Sequence, residues 1–153
     1  MKKIRNIAAV AGLLCLLLPV AALSLPAFGA EESKAGVPEE SFAQVQEKWG
    51  IRPLNIRLSG ADHFLDFRYL VTDPEKAKSV LERGKKAYLM DQESGKVYNV
   101  PVTKLGPMRG TTVQPKRGKQ YFILFNNSDM GIRRGSRVAI VIGDLKLENL
   151  TVE

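Results

Sequence analysis

After Gly50, apolar residues recur at every second position along much of the chain. Leu54, Ile56 and Leu58 alternate with polar residues, and the segment 65–71 does the same after a short turn. A period of two puts alternate side chains on opposite faces, as in a half-buried β-strand. Because the intervening turn is short, we expect these two strands to form an antiparallel hairpin.

Segments with strand character continue to the C-terminus. They are 87–90, 96–100, 121–125, 138–142 and 145–152, with short edge strands near 102–105 and 111–113. Two of them, 121–125 and 138–142, are apolar throughout, which predicts central strands buried on both faces. In the last segment the alternation slips by one residue near Asn149, which predicts a β-bulge there.

Two short helices are expected. Phe42, Val45 and Trp49 follow a helical spacing, and Gly50 provides a stop. The second helix starts at Thr72-Asp73-Pro74, where a capping residue precedes a proline in the first turn.

About seven or eight strands with regular turns and one or two short helices predict an all-β fold. We expect a single β-sandwich of immunoglobulin-like topology over residues 49–153, with a small barrel as the second choice. Residues 31–48 are expected to form a polar leader that ends in the short helix.

Residues 1–30 have the composition of a secretory signal peptide. Three basic residues, Lys2, Lys3 and Arg5, precede an apolar stretch over 7–25 and a zone of small residues over 26–30. This layout predicts export to the periplasm or the cell exterior. The alternative is an uncleaved anchor in the inner membrane, since about 17–25 apolar residues span a bilayer, but Pro19 interrupts the stretch.

Removal of the signal would change the composition of the chain. The single cysteine, Cys15, lies in that segment, as do three of the 23 basic residues and none of the 16 acidic ones. The net charge would fall from +7 to +4. The remaining domain would have no thiol, so its core alone would have to stabilise it.

Several strand and turn segments together resemble a family of small exported bacterial proteins of uncharacterised function. They are 65–69, 73–77, 100–101, 121–126 and 141–144. The resemblance spans roughly 49–153 and implies an immunoglobulin-like domain in a periplasmic setting. It implies no catalytic residue.

Basic residues in the distal half form the only pattern that favours a function. Six of them fall in predicted loops: Arg109, Lys116, Arg117, Lys119, Arg133 and Arg134. If these loops cluster at one end of the domain, we expect the six residues to bind an envelope protein or an anionic envelope component. The alternative is that they only keep the protein soluble. Nucleic acid is not expected as a partner, because no aromatic residues are interleaved with the cations. Membrane contact is expected only through an uncleaved signal segment.

The residue types needed for catalysis or metal binding are sparse. His63 is the only histidine, and no nucleophile-elbow motif accompanies it, so we expect no enzyme and no cofactor. The alternative function is a copper-handling domain. Its ligands would be His63 and three scattered methionines, Met90, Met108 and Met130.

Overall fold

The computed structural model describes residues 39–153, and in this part the chain is mostly β. Two helices and nine strands follow one another in the order α1 (Glu39–Trp49), β1 (Ile51–Ser59), β2 (Phe64–Val71), α2 (Pro74–Leu81), β3 (Ala87–Asp91), β4 (Val97–Asn99), β5 (Val102–Thr103), β6 (Gly106–Pro107), β7 (Gln120–Asn126), β8 (Arg137–Ile142) and β9 (Leu145–Thr151). The predicted signal segment, 1–30, lies outside the described residues. No helix within 39–153 is long and apolar enough to cross a bilayer.

The strands form two larger antiparallel sheets and one small ladder. The first sheet has the order β1-β2-β7 and the second the order β4-β3-β8-β9, while β5 pairs only with β6. One hydrophobic cluster contains side chains from both larger sheets, among them Phe67 and Phe125 of the first and Leu89 and Ile140 of the second. At its C-terminus the chain reaches the first sheet, where the Glu153 amide donates to the Ile56 carbonyl (2.9 Å).

The hairpin predicted from the period-two pattern is confirmed. β1 and β2 are antiparallel, with Ile56 opposite Phe67 and Arg57 opposite Asp66. Asp66 is buried on the outer face of this sheet and accepts a hydrogen bond from Arg68 Nε (2.9 Å).

Both predicted helices are present, and their ends have identifiable causes. Gly50 ends α1 with φ +63° and donates to the Gln46 carbonyl (3.0 Å). A Cβ atom on Gly50 would lie 2.4 Å from the Asp73 carbonyl oxygen, so only glycine fits this junction. Asp73 caps α2 by accepting from the Glu75 and Lys76 amides, and Pro74 occupies the first turn.

Two strand predictions need correction. Residues 111–113 form no strand, because the Thr112 amide donates instead to the Leu81 carbonyl at the end of α2 (3.1 Å). β7 is buried on one face only, and Phe122 on its other face is exposed. β8, in contrast, is mostly buried on both faces, as predicted.

The bulge near Asn149 is confirmed: the β8–β9 register shifts opposite this residue, which has φ +60°.

A buried asparagine joins the β1–β2 turn to the loop after β7. The Asn127 side-chain amide donates to the carbonyls of Asp62 (2.7 Å) and Ile132 (3.0 Å), and its oxygen accepts from the Ile132 amide (3.0 Å). The side chain is fully buried, so each of these bonds replaces one to water.

We predict that Asn127→Asp lowers the free energy of unfolding by about 2–4 kcal/mol, because an aspartate loses two donors and leaves two carbonyls unpaired. Urea denaturation followed by circular dichroism measures this change. The matched control is Asn126→Asp, since Asn126 is exposed and its side-chain amide donates to the nearby Ser128 hydroxyl; its expected effect is within about 0.5 kcal/mol. Equal effects of the two substitutions would contradict the structural role of Asn127.

Candidate functional site

The six basic residues predicted to bind a partner lie in three different places. Lys116, Arg117 and Lys119 precede β7, where the Lys119 carbonyl accepts from the Val71 amide at the end of β2 (3.0 Å). Arg133 and Arg134 lie in the loop that follows β7. A strand of seven residues is about 23 Å long, so these two groups lie at opposite ends of the first sheet and do not form one surface.

Arg109 lies in the third place, and its burial differs most from the expectation of an exposed binding residue. The sequence placed it in an exposed loop, but only 8% of its surface is exposed. Its guanidinium donates to the carbonyls of Val80 (2.6 Å) and Lys85 (2.8 Å). The last carbonyls of an α-helix have no partner within the helix, and a cation is favoured at this negative end. Arg109 therefore caps α2 from a distant part of the chain.

The surroundings of Arg109 are unusual for a buried charge. Within residues 39–153, no carboxylate lies at ion-pair distance from its guanidinium. Burial lowers the pKa of the guanidinium, although it remains charged at any physiological pH. Burial also raises the pKa of the Tyr69 hydroxyl well above its usual range, while the nearby Arg109 acts in the opposite direction. The Tyr69 hydroxyl and Arg109 Nε are both buried, and neither has a hydrogen-bond partner among the described residues.

Beside Arg109 the surface forms a groove of about 510 Å³. One side consists of the loop 82–86 between α2 and β3 together with Ala87 at the start of β3, and the other consists of residues within 100–111, a segment that includes the β5–β6 hairpin. The two sides are fixed to each other by the hydrogen bonds of Arg109 to Val80 and Lys85. The loop is also tied to the turn between β8 and β9, since the Gly143 amide donates to the Lys86 carbonyl (2.9 Å).

The groove carries an excess of positive charge. Its charged lining residues are Glu82, Arg83, Lys85, Lys86 and Arg109. Only Lys85 approaches the single acid, with its Nζ 4.0 Å from Glu82 Oε2. Arg83 and Lys86 are exposed, and neither has an acidic partner in the part of the chain that the structure describes. The arrangement attracts anions, because four cations act against one carboxylate in a concave surface.

Sequence reasoning found Arg109 but missed Arg83, Lys85 and Lys86. The signal was present as a run of three basic residues with Gly84 directly after the predicted helix. No local pattern brings residues 83–86 near residue 109, because their proximity depends on the hydrogen bond from Arg109 to the Lys85 carbonyl.

The residues expected to bind copper are distributed over several elements. His63 is exposed in the β1–β2 turn, Met130 lies in the loop after β7, Met90 in β3 and Met108 just after β6. Backbone bonds from Asn127 to His63 and from Met130 to Asn127 place the first two in one region. No group of three histidine, cysteine or acidic residues suitable for a metal occurs within 39–153. Copper binding stays a prediction.

Comparison of the chain with protein-family models, curated proteins and solved structures finds no match. The feature of residues 39–153 that indicates a function is therefore the groove itself.

We predict that Arg109→Met lowers the free energy of unfolding by about 3 kcal/mol, because it leaves the Val80 and Lys85 carbonyls without a charged donor. Arg109→Lys should recover only part of this loss, since one ammonium cannot reproduce the fork of the guanidinium. Chemical denaturation of both variants measures the effect. The control is the exposed Arg117→Met, expected within about 0.5 kcal/mol of the unsubstituted protein. A comparable loss in the control, or none in Arg109→Met, would contradict the capping role.

Proposed function

We propose that this chain is an exported, non-catalytic β-sandwich module that binds an anionic partner of the cell envelope in the groove beside Arg109. The observation that carries the proposal is the uncompensated charge of this groove. Arg83 and Lys86 are exposed without acidic partners among residues 39–153, and Arg109 adds a permanent charge to the wall. The composition of residues 1–30 supports export.

The strand order supports an immunoglobulin-like sandwich. In that fold, strands A, B and E belong to one sheet and C, F and G to the other, and some members add a strand C′ beside C. Taken in chain order, β1, β2 and β7 correspond to A, B and E, while β3, β4, β8 and β9 correspond to C, C′, F and G. The helix α2 then lies in the B–C connection, and residues 100–119 replace strand D.

This correspondence supports a binding role for the groove, which would lie at one end of such a sandwich. In variable immunoglobulin domains the B–C and F–G loops of one end contact the ligand. Here the equivalent B–C connection supplies Arg83, Lys85 and Lys86, and the Lys86 carbonyl pairs with Gly143 of the F–G turn. The likeness is one of architecture, so the charge of the groove, and not the fold, indicates the ligand.

Retention on a heparin column, with heparin as a general polyanion, tests the proposal. We predict that Arg83→Gln/Lys86→Gln elutes at lower salt than the unsubstituted protein. Each basic side chain near an anionic surface contributes about 1 kcal/mol, so loss of two corresponds to about 30-fold weaker binding at low salt.

The matched control removes the same number of charges at the other end of β7. Arg133→Gln/Arg134→Gln has the same net charge as the groove variant, and both of its positions are exposed. We expect it to elute close to the unsubstituted protein. An equal shift in both variants would mean that retention follows net charge, and a shift only in the control would assign binding to the β7–β8 loop. Either result would contradict the proposal.

A further inference from the structure

We infer that the anionic partner is a phospholipid bilayer, and that the tip of the β5–β6 hairpin inserts into it while the groove binds lipid phosphates. The inference rests on the proposed function, because it names the ligand of the same groove. Two features carry it: an exposed apolar hairpin tip, and the position of that tip directly beside the uncompensated cations.

The hairpin presents a leucine fully to solvent. β5 and β6 pair through Val102 with Pro107 and Thr103 with Gly106, which leaves Lys104 and Leu105 as the two turn residues. Leu105 is 100% exposed and Val102 is 78% exposed. A single exposed leucine is ordinary, but these two side chains line the same groove as Arg83, Lys86 and Arg109.

The tip is held in place by its own hydrogen bonds. Thr103 Oγ1 accepts from the Leu105 amide (3.2 Å) and donates to the Gly106 carbonyl (2.9 Å). At the base of the hairpin, the Met108 amide donates to the Pro101 carbonyl (2.9 Å), and the Met108 carbonyl accepts from Leu124 of β7 (3.0 Å). Insertion therefore needs little ordering of the chain, which favours binding.

The charges complement an anionic lipid surface at the depth where its phosphates lie. Lys104 adjoins Leu105 and is exposed, so its ammonium reaches the head groups while the leucine enters the acyl region. The groove cations line the same concave surface as the tip, where phosphates would surround an inserted hairpin. Membrane contact was expected from the sequence only through an uncleaved signal segment, and the hairpin provides a second route.

Vesicle sedimentation tests the inference with two lipid compositions: phosphatidylcholine alone, and phosphatidylcholine with about 30% phosphatidylglycerol, which gives the vesicles a negative surface potential. We expect the protein to sediment with the anionic vesicles and not with the neutral ones. Leu105→Ser should lower partitioning by about tenfold, since it removes one apolar side chain from the membrane and changes no charge. All variants carry the same N-terminus, so a difference in vesicle partitioning between them is due to the substitution in the hairpin.

The control is Leu54→Ser, which removes a leucine that is partly exposed in β1, away from the hairpin; it should partition like the unsubstituted protein. A Leu105→Trp variant gives a direct measurement, because lipids with a quencher in the acyl chain should quench its fluorescence beyond the constant signal of Trp49.

The outcomes separate the inference from the function on which it rests. Heparin binding that depends on Arg83 and Lys86, without vesicle binding, would overturn the bilayer as ligand and leave the anion-binding function in place. Vesicle binding that is unchanged in Leu105→Ser, or equal on neutral and anionic lipids, would overturn hairpin insertion. If Arg83→Gln/Lys86→Gln weakens neither heparin binding nor vesicle binding, the proposed function itself is overturned.

Discussion

The buried guanidinium of Arg109 is the constraint on which the arrangement around the groove depends. It satisfies carbonyls at the end of α2 and in the loop after it, and it comes from a segment that pairs with the edge of β7. One side chain thereby fixes a helix, a loop and the base of the β5–β6 hairpin to the first sheet. A buried cation is costly to desolvate unless it is well bonded. Here backbone carbonyls and the negative end of α2 stabilise the guanidinium, in place of the carboxylate that usually pairs with a buried cation.

Much of the secondary structure follows from the sequence because it depends on local signals. The alternation over 54–71 specifies β1 and β2, and Asp73-Pro74 specifies the start of α2. Even the bulge at Asn149 is visible as a slip in the alternation. The errors arise where tertiary contacts override local pattern. Residues 111–113 have strand-like composition, but the Thr112 amide donates to the Leu81 carbonyl at the end of α2.

The site was predictable only in part, for the same reason. A count of charges along the chain recognises that Arg109, Lys116 and Arg134 are basic, but not whether each is buried, near a helix end or at the opposite end of a strand. Arg109 has the sequence context of a loop residue, with Gly110 after it, and yet it is among the few buried charged residues. Arg83 and Lys86 join it through a contact between residues more than 20 positions apart. No periodicity in the sequence encodes that contact.

The structural use of Arg109 also bears on how an anion site can arise in this fold. Because the guanidinium that caps α2 is charged at every physiological pH, the wall of the groove keeps a positive charge independently of any ligand. The exposed cations at 83 and 86 and the apolar tip at 105, in contrast, lie outside the buried core. Substitution at such exposed positions usually changes stability little, whereas we expect substitution of Arg109 to remove two buried hydrogen bonds. In the proposed function, the ligand site would therefore be built around a charge that already stabilises the fold, while the loop cations would set the strength of anion binding and the hairpin the preference for a lipid surface.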